Sequence, residues 1–211
     1  MKITILYDND AFDKRLSPDW GFAALIEACG RSILFDTGAS GQILIENMHR
    51  LGISPDCIQE IFISHDHWDH TGGLPGILEV NPVRVYVPDT ISSVDHAPET
   101  VSIRQPMEIH PNMYSTGTLK NIEQSMCIKE DNKVVVIAGC SHPGVETILA
   151  AAAPIGPPVA LIGGLHGLCD FPVIDSLDWV CATHCTQYKQ QIHSRLGHQS
   201  LAGGAGRVIE I

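Results

Sequence analysis

Residues 65 to 70 read His65-Asp66-His67-Trp68-Asp69-His70, and His65, His67, Asp69 and His70 are strong ligands for a divalent transition metal. Neutral imidazole and carboxylate build zinc, iron and manganese sites, and a site with three or four protein ligands leaves room for a reactive water. The preceding run, Ile58 to Ser64, has strand-like content and ends in a polar residue, so the ligands sit on a loop leaving the end of a strand. On that loop alternate positions turn His65 and His67 toward one cation. Asp69 and His70 come next, where Thr71-Gly72-Gly73 bends the chain toward a helix, and reach a second. Asp66 and Trp68 point the other way: Asp66 is expected to hydrogen-bond nearby groups, and Trp68 to pack against the sheet edge or line the entrance.

Three later strands also end in a histidine. Val134 to Ala138 is a continuous apolar run, the pattern of a strand buried on both faces, and it leads into Gly139-Cys140-Ser141-His142-Pro143-Gly144. That strand-to-helix turn presents His142 at the sheet end that carries His65. Val159 to Ile162 ends in Gly163-Gly164-Leu165-His166-Gly167, and Trp179 to Ala182 ends in Thr183-His184-Cys185-Thr186. His142 and His184 are the candidate ligands that complete the site, with capping of the following helix as the structural alternative for His184. His166 has two readings, a metal ligand or a residue that orients a ligand or the substrate. A separate structural zinc site at Cys181, His184 and Cys185 lacks a second ligand pair of the usual spacing.

The rest of the chain must bring these turns to one place. Ile3 to Tyr7 is strand-like, and Ala23 to Ala28 with Arg31 to Phe35 forms a hairpin around Cys29-Gly30. Ile43, Leu44, Met48 and Leu51 recur at helical spacing with Gly52 just past the end. A short helix covers Leu74 to Val80, followed by a strand Val83 to Val87. Residues 89 to 121 carry the least regular pattern, and His96 and His110 lie there without ligand-like company. Gln124 to Ile128 and Lys133 to Ala138 are strands joined at Asp131-Asn132, Val145 to Ala153 is a helix, and Tyr188, Ile192 and Leu196 repeat every four positions in a last one. With no linker or low-complexity tract, the 211 residues are expected to form one domain.

Composition narrows the function. No apolar stretch approaches the roughly 20 residues that cross a bilayer, and nothing resembles a signal peptide, so a cytoplasmic protein is expected. Seven cysteines in so long a chain suit reduced thiols better than a disulfide framework. The formal charge of −11 repels nucleic acid and anionic membranes at long range. A small-molecule substrate is the expected partner, phosphorylated ones included, because two bound dications reverse the sign locally. The oligomeric state is left open.

The pattern His65, His67, Asp69, His70, preceded by Leu34-Phe35-Asp36-Thr37-Gly38, resembles the HxHxDH signature of the metallo-β-lactamase superfamily. Within it, Glu123-Gln124, Gly139-Cys140-Ser141-His142, Gly163-Gly164-Leu165-His166 and His184-Cys185-Thr186 resemble the dihydropterin ribofuranosylaminobenzene 5'-phosphate synthase-like subgroup. The resemblance runs from Ile3 to Val208. It implies an α/β fold, the αββα four-layer sandwich, with the metals at one edge of the two sheets. By the same analogy His65, His67 and His142 hold metal one, and Asp69, His70 and His184 metal two. Many superfamily members have a bridging aspartate where this chain has Gly139-Cys140. Cys140 is then either a coordinated thiolate, which zinc favours, or a buried inert thiol.

The expected cofactor is Zn2+, two ions, with Fe or Mn as alternatives. Water on such a cation is largely ionised near neutrality, and a second cation stabilises charge on the attacked oxygen. Hydrolysis of a phosphoester, carboxylic ester or lactone follows, with Asp69 able to take a proton and His166 placed to help. The subgroup resemblance implies a second reaction class, transfer of a pterin methyl carbon onto a ribosylated aminobenzene phosphate. A non-catalytic metal-binding module is the third reading. A di-iron oxygen or nitric oxide reductase would carry a glutamate in place of His67 and a flavin domain, and a ribonuclease a basic surface.

Overall fold

The computed structural model describes residues 1–211. The first half carries strands β1 (Lys2–Tyr7), β2 (Ala23–Ala28), β3 (Arg31–Phe35), β4 (Glu60–Phe62), β5 (Arg84–Pro88) and β6 (Thr100–Ile103). Helices α1 (Gly41–Arg50), α2 (Trp68–Thr71) and α3 (Leu74–Val80) fall between them. The second half carries β7 (Met107–His110), β8 (Met113–Ser115), β9 (Met126–Glu130), β10 (Lys133–Ala138), β11 (Pro158–Gly164) and β12 (Trp179–Thr183), with α4 (Val145–Ala152) and α5 (Lys189–Leu196), and β13 (Val208–Glu210) closes the chain. One sheet has the order β13-β1-β2-β3-β4-β5-β6 and the other β12-β11-β10-β9-β8-β7.

Alternation along the strands builds the layers, because successive side chains point to opposite faces. Ile33 and Phe35 face the second sheet and meet Val135 and Ile137 there, in a core that also holds Phe22, Phe62, Met126 and Ile162. Leu34 points outward, onto Leu44 and Met48 of α1 and Ile77 and Leu78 of α3. Val134 and Val136 likewise point outward, onto Val145 and Ile148 of α4 and Ile192 and Leu196 of α5. The result is the four-layer αββα sandwich expected from the sequence. Its central layer is tied by a stacked pair, Phe35 and Phe62, with ring centroids 5.4 Å apart.

The site follows from strand direction. β3, β4 and β5 are parallel neighbours, as are β10, β11 and β12. Parallel strands need crossover connections, here including α1, α3 and α4, and so all end on the same edge of their sheet. The turns after β3, β4, β10, β11 and β12 carry Asp36, His65, His142, His166 and His184 respectively.

Some local expectations shift. Residues 89 to 121 contain β6, β7 and β8; β6 and β7 are the outer strands of their sheets and leave several side chains half-buried or exposed, so no apolar run marks them. His110 has company after all: its Nε2 meets Glu60, which also accepts from Tyr86 Oη at 3.1 Å, a polar tie between the sheets. β4 is shorter than the expected Ile58 to Ser64, and β9 begins two residues after Gln124. Gln124 instead donates to the Ile63 carbonyl at 2.8 Å and accepts from Ser115 Oγ at 2.7 Å. Tyr188 stands at the N-cap of α5 and is exposed, outside the buried stripe of Ile192 and Leu196. No helix is long and apolar enough to cross a membrane.

Phe62 fills the layer between the sheets and is fully buried. Phe62→Ala should cost about 3–5 kcal/mol, the range for a deleted core aromatic. Urea unfolding measures it, and a loss below about 1 kcal/mol would mean that the two sheets do not depend on this layer.

Candidate metal centre

Asp36 organises the turn after β4. It follows β3 in the left-handed region, at φ 53°, and is fully buried. Its Oδ1 accepts the Ser64 N–H at 2.7 Å and its Oδ2 the Ser64 Oγ–H at 2.7 Å. The same Oδ2 lies 2.7 Å from His70 Nδ1. Burial pushes the Asp36 carboxyl up from its ordinary range, while the hydrogen bonds from Ser64 favour the carboxylate.

These bonds assign the imidazole tautomers. His70 donates from Nδ1 to Asp36, which leaves Nε2 bare and 3.1 Å from Cys140 Sγ. Ser64 gives its own proton to Asp36, so its Oγ accepts from His65 Nδ1 at 2.8 Å and His65 Nε2 is bare. His184 Nδ1 lies 2.9 Å from Asn9 Oδ1, an oxygen that only accepts, so its Nε2 is bare as well. The His184 backbone N–H reaches Asp8 at 3.3 Å.

The turn after β10 is held by Glu123. Its buried carboxylate accepts the N–H groups of Gly139, Cys140 and Ser141 at 3.1, 3.1 and 3.0 Å on one oxygen, and that of His142 at 2.8 Å on the other. Burial raises this carboxyl to about 7, opposed by those backbone N–H groups. Ser141 is left-handed at φ 59° and donates to the Gly164 carbonyl at 2.7 Å. Gly139 is required here: a Cβ on it would fall 2.1 Å from Ser64 Oγ and 3.1 Å from His65 Nδ1.

The turns bring the histidines together. The rings of His65, His67 and His142 are mutual neighbours, with centroids 4.5, 4.8 and 4.8 Å apart. Those of His70 and His184 lie 5.0 Å apart, and His184 Nε2 is 3.3 Å from Asp69 Oδ2. Cys140 stands between the two groups. Its Sγ forms a triad with His65 and His142 and another with His70 and His184, the donor atoms of each lying within 4.8 Å of one another.

Burial holds His65 and His70 well below the usual imidazole range, with the charge of neighbouring histidines adding to it. His142 is lowered to about 4 by burial and then by His67 and His166. Burial acts to raise Asp69, but the His184 side chain and the charge of His70 outweigh it and hold the carboxylate below its ordinary range. His65, His70 and His142 are therefore neutral imidazoles and Asp69 an ionised carboxylate near pH 7, the forms that bind a cation. Nε2 of His65, His142 and His184 is buried without a hydrogen-bond partner. An unsatisfied buried polar atom costs about 1–3 kcal/mol. These atoms, with a thiol and a carboxylate beside them, fit divalent transition metals, which would satisfy them.

The other expected residues are placed as follows. His67 is exposed at the rim, with its ring against His65 and His142. His166 is left-handed at φ 43° and exposed, its ring 4.9 Å from His142 and outside both triads. His184 does not cap a helix, because α5 starts at Lys189. Cys181 points into the core between the sheets, away from His184. Asp66 is exposed and makes no side-chain hydrogen bond, contrary to expectation, because it lies on the solvent side of the loop before α2 turns inward. Trp68 is 64% exposed rather than packed on the sheet edge.

Sequence reasoning did not single out Asp8, Asn9 or Trp20, nor the roles of Asp36, Glu123 and Cys185. Trp20 donates its indole N–H to Asp69 Oδ2 at 2.9 Å and packs its edge on His184 at 5.5 Å. Cys185 Sγ lies 3.2 Å from Cys140 Sγ. The buried carboxylates left a faint signal, since each stands beside an apolar strand; Trp20 left none.

Comparison with known proteins agrees with this architecture. A family described as the metallo-beta-lactamase superfamily matches residues 18–121. A 7,8-dihydropterin-6-methyl-4-(beta-D-ribofuranosyl)-aminobenzene-5'-phosphate synthase of Methanocaldococcus jannaschii is 26% identical over 83% of this chain and 84% of its own. A ribonuclease Z of Bacillus cereus is 35% identical over 58% of this chain but only 39% of its own. A solved structure described as a metal-dependent hydrolase of the beta-lactamase superfamily superposes with a TM-score of 0.84 at 24% identity, covering 100% of this chain and 99% of that one.

Gly139→Ala should drive Ser64 and His65 apart and lower the stability of the metal-free protein by about 1–3 kcal/mol, the cost of overpacking. Chemical denaturation reads this directly, and an unchanged midpoint would contradict the close approach of the two turns.

Proposed function

We propose that the chain, whose residues 18–121 match the metallo-beta-lactamase superfamily, is a metal-dependent hydrolase of a small phosphorylated, ester or lactone substrate. His65, His67 and His142 hold one cation, and Asp69, His70 and His184 a second. Cys140 lies between them where many relatives of the fold have a bridging aspartate. The observation that carries this reading is the pair of donor triads that share Cys140, in which the buried Nε2 atoms of His65, His142 and His184 have no hydrogen-bond partner. When bound, the cations supply a water ionised near neutrality and a Lewis acid for the developing charge.

The chain's own residues supply the rest. Trp20 holds Asp69 Oδ2, which turns the carboxylate and leaves Oδ1 to take up a proton. Asn9 and Asp8 fix the His184 turn, and Glu123 the His142 turn, so the donors are set before any ligand arrives. Beside His166 opens a groove of about 380 Å³, lined by Lys120, Ser141, Thr147, Gly167 and Leu168 among others. That volume suits a small molecule. His166 and Lys120 line the groove and are placed to orient the substrate, while Glu146 and Asp170, also in the lining, select against a densely anionic one.

A second reading has one observation in its favour. The synthase of Methanocaldococcus jannaschii matches over most of both chains, so a transferase acting on a pterin and a ribosylated aminobenzene phosphate would use the same centre. The ribonuclease match covers much less of that enzyme, and the charge of −11 opposes a polyanionic substrate. Assay of the zinc-loaded protein against a phosphodiester, a phosphomonoester, a lactone and a thioester, with pterin transfer alongside, separates the two classes. Turnover in the transfer assay alone would reverse the assignment.

Two variants test the ligand set. His67→Ala should lower bound metal and hydrolytic rate by at least about tenfold, since changes to groups that merely support ligands already cost roughly 10–100-fold. Full metal retention would sink the assignment. His184→Ala should keep the first cation and lose the second; unchanged stoichiometry with a lowered thermal midpoint would make His184 structural instead.

A further inference from the structure

The proposed ligands leave one neighbour unexplained. Cys185 follows His184 directly, is half-buried, and brings its Sγ to 3.2 Å from Cys140 Sγ and 3.8 Å from the Cys140 carbonyl. The other free thiols include Cys127 and Cys181, both buried, and Cys29, Cys57 and Cys169, all exposed.

The approach of the two thiols depends on the strand between them. β11 lies between β10 and β12, and where it ends the chain has Gly164. A Cβ there would sit 2.7 Å from Cys185 Sγ and 3.2 Å from Cys140 Cα. Without it, the two side chains meet across the end of β11. A disulfide bond is about 2.05 Å long, so the sulfurs need to close by about 1 Å.

We propose that Cys140 and Cys185 form a reversible disulfide that withdraws the Cys140 sulfur from the metal centre. This rests on the reading of Cys140 as part of that centre. The oxidant is a peroxide. Cys185, the accessible partner, attacks one peroxide oxygen as its thiolate; the O–O bond breaks, a sulfenic acid forms, and the departing hydroxide takes up the thiol proton as water. The Cys140 sulfur then displaces the second oxygen, which leaves as hydroxide and becomes water with the proton that Cys140 carried or had released to solvent on binding the metal. Two thiols and one hydrogen peroxide become one disulfide and two waters. Bonded to Cys185, the Cys140 sulfur can no longer ionise to a thiolate, and both cation positions lose a shared donor. Peroxide would thus empty the centre and a dithiol would restore it.

The test uses the full-length, zinc-loaded protein titrated with hydrogen peroxide. Intact mass, free-thiol content and zinc captured by a chromogenic chelator are read together. Digestion at acidic residues separates Cys140 from Cys185 for cross-link mapping. The expected result is a loss of two hydrogens and two thiols, a Cys140–Cys185 cross-link, zinc released in step with it, and reversal of all four by dithiothreitol. In Cys185→Ala the same dose should leave zinc bound. Oxidation of single thiols with no cross-link would overturn the proposal, as would a cross-link that forms with zinc fully retained, or zinc loss that persists in Cys185→Ala. A protein that binds no zinc when reduced would instead refute the metal-centre reading, whether or not the cross-link forms.

Discussion

The hydrogen bonds that Asp36 accepts from Ser64 and His70 are the constraint on which the centre depends. One fully buried carboxylate, in a left-handed backbone conformation, fixes the turn after β4 at its start and at its end. Through Ser64 it also sets which nitrogen of His65 is free, and directly it sets that of His70. Carrying such a group inside is costly unless its oxygens are satisfied, and here both are. The other two turns repeat the solution with different residues: Glu123 collects four backbone N–H groups around His142, and Asp8 with Asn9 hold His184. Each donor is therefore positioned by an anchor that does not itself face the centre.

The sandwich makes these anchors meet. Two sheets with parallel strands place five turns on one edge, and the approach of Gly139 to Ser64 brings the edge of one sheet within contact of the other. Gln124 joins them again by donating its side-chain N–H to the Ile63 carbonyl and its backbone N–H to the Ser64 carbonyl. Bare imidazole nitrogens in so enclosed a place cannot turn to water. They remain aimed at one another until something electron-poor lies between them, and that is how the fold converts packing into affinity.

Much of this was legible in the sequence because the chemistry is local there. The hexapeptide places four donors within six residues, and His142, His166 and His184 each follow an apolar strand, a pattern that needs no knowledge of tertiary contacts. The four layers were implied by the family resemblance, while the residues themselves marked strands such as Arg31 to Phe35 and the apolar run Val134 to Ala138. The anchors were hidden because they act across sequence: Asp36 lies 28 residues from Ser64, Glu123 19 from His142, and Asn9 175 from His184. Strands β6 and β7 were hidden for a different reason, since an outer strand buries too little to write a hydrophobic pattern. Asp66 makes no side-chain hydrogen bond because the loop side opposite His65 faces solvent, where no partner stands. Cys140 was ambiguous as a letter and is informative as a position, between two groups of histidines.

The central claim is that these turns form two cation positions on either side of Cys140. Anomalous diffraction at the zinc edge, from crystals of the reduced protein grown with zinc, tests it most directly. The account predicts two peaks, one enclosed by His65, His67 and His142 and one by Asp69, His70 and His184, with Cys140 Sγ between them. Absence of density among these residues, or a peak bound elsewhere, would contradict it.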